Sequence, residues 1–171
     1  MPVDQYVNNL VGAFALAVSD ALSGALTEAV GHSGALAAAV SYLLQEPDCG
    51  IEELRGPLGL SQPAAVRLVN QLVDGGLASR SGDTRDGRRV RIRLTHAGRR
   101  LAQSLLRSRR EAIDAVISSL AADERRTLAV ILSKMLGSMT DDRAHAERLC
   151  RLCDVRACPQ ETCPVEASVV Q

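Results

Sequence analysis

Between Gly75 and Gly98 the hydrophobic period of the sequence changes twice, and that change restricts the fold more than any other feature. Upstream, in "SQPAAVRLVNQLVD", Ala65, Leu68, Val69 and Leu72 fall at i, i+3, i+4 and i+7, the spacing that lines one side of a helix. Gly75-Gly76 can stop that helix through a left-handed cap, after which "LASRS" and "RVRIRLT" read as two short strands closed by a loop at Asp83 to Gly87. In Arg89-Val90-Arg91-Ile92-Arg93-Leu94 charge and hydrocarbon alternate strictly, so a strand here puts three arginines on one face and three aliphatics on the core. Helical spacing resumes at Thr95, the N-cap of a helix to about Leu120 whose apolar stripe is Leu101, Leu105, Ile113, Val116 and Ile117.

The rest of the chain reads as helix around this hairpin. Apolar residues make up 46% of the 171, but aromatics only 2%, which favours helix-on-helix packing over a sandwich or an aromatic ligand cage. The opening helix extends to about Gly24, with Leu10, Phe14, Val18 and Leu22 every fourth position. A second runs from about Ser33 to Gln45 and ends before Pro47. "IEELRGPLGL" and "SQPAAVRLVNQLVDGG" then form a helix-turn-helix pair, the second helix opened by Ser61 as N-cap with Pro63 in its first turn. Asp123 and Glu124 open another helix to about Met139, and helix continues to about Cys153 before Pro159 and Pro164 forbid it. The opening run lacks a basic n-region and is interrupted by Asp4, Asn8, Asn9, Ser19 and Asp20, so neither a secretory signal nor a membrane span is expected, and the cytoplasm is the expected location.

Charge is unevenly placed. Met1 to Leu54 holds seven acidic residues and no Lys or Arg, whereas Arg80 to Arg110 holds eleven arginines against Asp83 and Asp86, about +9 in a chain that sums to +0. Such a block calls for an outside polyanion. If Ala65, Leu68, Val69 and Leu72 face a core, the opposite side of their helix presents Gln62, Pro63, Val66, Arg67 and Asn70, hydrogen-bonding groups and one branched hydrocarbon suited to base edges and thymine methyls. Arg88 at the loop tip is the candidate for insertion into a minor groove, with Asp83 or Asp86 orienting its guanidinium, while Arg85 and Arg89 meet phosphates. The competing reading is a solvated helix face and surface-paired arginines worth little.

"GLASRSGDTRDGRRVRIRLTHAG" resembles the hallmark of MarR-family winged helix-turn-helix regulators, through Gly76-Leu77, Asp83, Arg85, Asp86, Arg88, Leu94-Thr95 and Gly98. The looser resemblance runs from about Tyr6 to Met139. It implies a mainly α fold with a small β-hairpin wing, and a homodimer with interlocked N- and C-terminal helices, residues 1–46 and 99–145, flanking a DNA-binding lobe at 47–98. It further implies a double-stranded, pseudo-palindromic operator, usually repressed until a ligand or oxidant changes the spacing of the two lobes. The helix from Ser61 then reads the major groove and Arg88 enters the minor groove. Two features depart from the family: the scarcity of aromatics to line a pocket for phenolic ligands, and a Cys-rich tail at 146–171.

In "CRLCDVRACPQETCP" the thiols of Cys150, Cys153, Cys158 and Cys163 are spaced C-x2-C-x4-C-x4-C. Four soft ligands so close can converge on zinc, copper(I) or an iron–sulfur cluster, or act as thiol–disulfide sensors, or be inert. Arg148, Arg151 and Arg156 can lower their pKa values. Cys49 reads as a small buried hydrophobe, His145 as a helix-surface residue with a lesser claim as a ligand, and His32 and His96 as turn and helix-start residues. The chain has no HExxH, Walker or GxSxG sequence, so no enzyme is expected. The leading expectation is a DNA-binding regulator answering to metal, an iron–sulfur cluster or redox state through its tail. The alternatives are a thiol or metal-handling protein whose hairpin serves another anion, and a regulator of small organic ligands with a structural cysteine site.

Overall fold

The computed structural model describes residues 3–30, 34–82, 90–158 and 160–169. Its helices are α1 (Val3–Val30), α2 (Gly34–Gln45), α3 (Ile51–Leu58), α4 (Gln62–Asp74), α5 (His96–Val116), α6 (Ala122–Met139), α7 (Arg143–Cys150) and α8 (Pro164–Ala167), with strands β1 (Ala78–Gly82) and β2 (Val90–Leu94) between α4 and α5. The reading of a mainly helical chain with one small hairpin holds.

The centre of the molecule is α2. Its sequence, "GALAAAVSYLLQ", is apolar on nearly every side, and such a helix is stable only when surrounded. Helices α1, α3, α4 and α5 and strand β2 pack around it. Leu36, Val40 and Leu43 of α2 share one core with Leu54 of α3, Leu68, Val69 and Leu72 of α4, Ile92 and Leu94 of β2, and Leu105 of α5. The lobe's core thus draws on a helix within the segment 1–46. Strands β1 and β2 pair antiparallel from Ala78↔Leu94 to Gly82↔Val90. The Ile92 N–H donates to Cys49 O at 2.9 Å, which adds a bridge on the other side of β2. Ile92 and Leu94 are buried as the alternation requires, but Val90, paired with Gly82 at the outer end, is 44% exposed because the hairpin there has run past the core.

The hairpin is fastened to α5 at one junction. Thr95 N–H donates to Leu77 O at 3.0 Å, and its hydroxyl donates to Gly76 O at 2.6 Å while accepting from Gly98 N at 3.1 Å. The expected cap at Thr95 and the left-handed turn at Gly76 (φ 67°) are therefore parts of one unit. Gly98 is buried there, and a Cβ on it would lie 1.9 Å from Leu77 O. No side chain fits, which explains the glycine in "LTHAG" without appeal to its backbone freedom.

Several boundaries differ from the sequence reading. Helix α1 passes Gly24, where a Cβ would meet nothing, and continues so that Leu26 enters the core. By length and composition α1 could cross a membrane, but it lies along α5. Helix α5 stops at Val116, short of Leu120. Ser61 occupies the N-cap of α4 with extended backbone, yet its side chain makes no capping bond. Helix is not continuous to Cys153: the chain breaks at Thr140, restarts with the Asp142 carboxylate accepting from His145 N at 2.7 Å, and ends at Cys150. Pro164, expected to bar a helix, is instead in the first turn of α8, where its missing N–H costs nothing.

Two long helices stay largely uncovered. Phe14 of α1 is 48% exposed and Val130 of α6 is 71% exposed, and no residue of α6 is buried among the described residues. A substitution series at the junction tests the packing above. Gly98→Ala is expected to cost about 3 kcal/mol through overpacking, and Gly76→Ala about 1 kcal/mol through its left-handed backbone. Thermal denaturation should rank them in that order; equal midpoints would show that Gly98 has room the structure denies it.

Candidate nucleic-acid interface

Helix α4 follows α3 through a turn at Gly59 and is locked to it by the core face of Ala65, Leu68, Val69 and Leu72, all buried. The opposite face is open. Ser61, Gln62, Pro63, Val66, Arg67 and Asn70, the residues expected to read a groove, are all exposed and lie along one side of one helix. Asn70 is not wholly unengaged: its Oδ1 accepts from the Arg80 guanidinium of β1. Arg80 thereby extends this face onto the hairpin, a role that counting charges could not assign. The other expected contacts, Arg85, Arg88 and Arg89, and their supports Asp83 and Asp86, lie outside the described residues.

The eight described arginines of the block do not form one patch. Arg91 donates to Asp48 O and to Glu53 Oε2, both at 3.1 Å, and Arg93 pairs with the Asp48 carboxylate. These two serve the lobe's own turn, where Asp48 holds a left-handed φ of 68°. Arg99 donates to Leu94 O at 3.0 Å and Arg100 meets His96. Arg107, Arg109 and Arg110 sit farther along α5 and face the tail. The surface-paired reading therefore holds for Arg91 and Arg93, and the sequence carries no marker for it because Asp48 and Glu53 are about forty residues away.

The tail folds back over the lobe. Helix α7 packs on α3, Leu152 touches the lobe's core, and Val155 N donates to Gln45 Oε1 of α2 at 3.0 Å. Arg143 pairs with Glu166 at 2.7 Å, and the Ser168 hydroxyl donates to Gly137 O of α6 at 3.1 Å, so the same segment also holds the end of α6. Between α2, α5 and the tail lies an open cleft of about 540 Å³, lined among others by Leu44, Arg107, Arg109, Ile113, Cys153 and Arg156. His145 pairs with Asp141 at 3.0 Å, which accounts for it as a helix-surface residue.

The four tail cysteines come together as two neighbouring pairs, Cys150 with Cys153 and Cys158 with Cys163, and all are unbridged thiols. Among the described residues no three ligand-type side chains already surround a point where an ion would sit. The Cys150 thiol, hydrogen-bonded to Cys153, together with the Arg109 charge, brings Cys153 from an ordinary 9.0 down to about 6. The same shared proton, with burial, pushes Cys150 up, and burial raises Cys158. Burial followed by the Glu53 charge raises Cys49 to about 11, as its buried, hydrophobic reading requires. Because the folded Cys153 ionises before the unfolded one, its contribution to stability is present above the ordinary thiol range and is lost as pH falls through about 6. In metal-free protein at pH 7, limiting iodoacetamide is therefore expected to alkylate Cys153 first and Cys49 last, read by peptide mass mapping. Equal labelling of the two would contradict the geometry around Arg109.

No protein-family model matches the chain. YwhA of Bacillus subtilis, described as an uncharacterised HTH-type transcriptional regulator, is 31% identical over 87 residues, 51% of this chain and 63% of that protein. YdgJ of the same organism, described likewise, is 24% identical over 105 residues, 61% of this chain and 64% of that protein. The chain thus spans less than two thirds of these curated relatives. A MarR family protein from Bacillus stearothermophilus superposes with a TM-score of 0.70 at 24% identity, covering 80% of this chain and 95% of that one. A point mutant of MepR from S. aureus, solved bound to an oligodeoxyribonucleotide, gives 0.59 at 20% identity over 82% of this chain and 100% of that one. The exposed face on α4, the hairpin behind it and the long helix fastened at Thr95 form the winged helix-turn-helix fold seen in MarR-family proteins.

Proposed function

We propose that two copies of this chain form a cytoplasmic, DNA-binding transcription regulator, a repressor, that grips a pseudo-palindromic operator with one α4 in each of two successive major grooves. The observation that carries this reading is the exposed row Gln62, Pro63, Val66, Arg67 and Asn70 on a helix whose other face is wholly buried. Solvation alone does not need a rigidly mounted helix with a polar, arginine-bearing face beside a basic hairpin, whereas groove reading does. The relatives are named as HTH-type transcriptional regulators, and MepR was captured on an oligodeoxyribonucleotide. Pairing of two copies is supported by the apolar residues left open on α1 and α6, which a second chain would cover. The state of Cys150, Cys153, Cys158 and Cys163, whether holding zinc or an iron–sulfur cluster or cycling between thiol and disulfide, would set operator affinity, because the tail bearing them touches the lobe and α6 together.

Mobility-shift titrations against the chain's own upstream DNA test this. Affinity is expected to fall steeply with salt, as phosphate neutralisation demands. Arg67→Ala and Arg88→Ala should each cost about 1–3 kcal/mol if they make base or groove contacts. A flat salt dependence, or full affinity in both variants, would reject duplex DNA as the partner and favour a protein that handles thiols or metal.

A further inference from the structure

We propose that Cys150, Cys153, Cys158 and Cys163 bind one zinc ion between them, and that this ion is the clasp that keeps the tail seated across α2, α3 and α5. Only its last consequence, a change in operator affinity, rests on the function proposed above.

The first reason is size. From Asp141 to Val169 the tail has one eight-residue helix, one four-residue helix and a 3-10 turn at Gln160–Thr162. Its buried set is Ala146, Cys163 and Val165, with Leu136, Leu149 and Val169 partly buried against them. Two aliphatic residues and a thiol are far too little apolar surface to offset the ordering of such a segment, and units of this scale are held by disulfides or by metal. Yet the segment adopts one defined course, with Leu152 on the lobe's core, Val155 on Gln45 and Arg143 on Glu166. Its own core does not hold it there; a few contacts to the lobe and α6 do, and the four thiols are placed to add a stronger one.

The second reason is the donor set. All four thiols lie in this one patch, and the nearest described imidazole and carboxylates are engaged or outward: His145 is turned to Asp141, Glu166 to Arg143, and Asp154 accepts from Arg156 N. Four soft ligands of one kind suit a closed tetrahedral site. The intervals between them are those of the single-ion zinc knuckle, with a cysteine where that motif carries histidine. The thiols stand side by side in pairs, which a single tetrahedral ion can use once the two pairs are brought together. The two pairs do not yet converge on a point, so the ion has to draw them together. That requirement couples metal binding to closure of the tail. The partly buried Cys153 and Cys158 also line the cleft against Arg109 and Ile113 of α5, so closing the four thiols fixes the tail's distance from the long helix.

The full chain, purified with reductant and without oxygen, should carry about one zinc per chain by elemental analysis, with neither iron nor sulfide. Cys158→Ser and Cys163→Ser should each lose it, while Cys49→Ser keeps it. Should the tail variants misfold, the parent protein stripped by chelator and titrated with cobalt(II) alone gives a second reading, the visible bands of tetrahedral thiolate cobalt saturating at one equivalent. Hydrogen exchange should show amides of the tail and of the Gln45 end of α2 exchanging at least about tenfold faster after stripping, with α4 unchanged. Operator affinity should fall about tenfold on stripping and return with zinc. Iron with sulfide, or no metal with four alkylatable thiols, would overturn the proposal. Zinc present but exchange unchanged on its removal would overturn the clasp. Stoichiometric zinc with no operator binding in any form would instead overturn the function proposed above and leave the zinc site standing.

Discussion

The turn after α4 and the base of the hairpin are positioned by the approach of Gly98 to the carbonyl of Leu77. The backbone of α5 lies so near the start of β1 that a single methyl group would not fit between them. Around that contact Thr95 closes both neighbouring ends: its N–H and hydroxyl bind the turn after α4, and its oxygen receives the Gly98 N–H in the first turn of α5. One side chain therefore ties a helix end, a strand start and a helix start together. The base of the hairpin and the C-terminal end of α4 are fixed relative to the long helix before any residue at the surface is chosen.

Legibility follows the range of the interactions. The two faces of α4, the stop at Gly75-Gly76 and the cap at Thr95 are readable because each depends on residues within one or two turns. The same holds for the burial of Ile92 and Leu94 by alternation. What escapes reading is set by distant partners. The end of α1 is hidden, because Gly24 is a poor helix former and it is Leu26 and Ala29 meeting the lobe's core that favour carrying on. Arg91 and Arg93 belong by sequence to a polyanion-binding block, and only the fold brings Asp48 and Glu53 beneath them. Pro164 misleads because a proline inside a helix and one in its first turn are identical in sequence.

The tail illustrates both limits at once. Its cysteine spacing is plain, but that it returns to the lobe depends on Leu152 and on the Gln45 amide 110 residues earlier in the chain. Its position adds a further attachment to those that α1 and α5 already make with the lobe's core. A segment that touches α2, α3, α5 and α6 shares in any rotation of the lobe against the long helices. On the function proposed above, a change in its internal order would be felt at α4.

Helix α6 has a further implication for the life of the polypeptide. None of its eighteen residues is buried by the rest of the described chain, and Val130, Ile131 and Met139 lie open. A newly made single subunit would hold this segment in place by little more than local propensity and its link to α8, which is marginal for so short a helix. If two copies pair as proposed above, its helicity should depend on their concentration, and at low expression the unpaired chain would be the form that proteases meet.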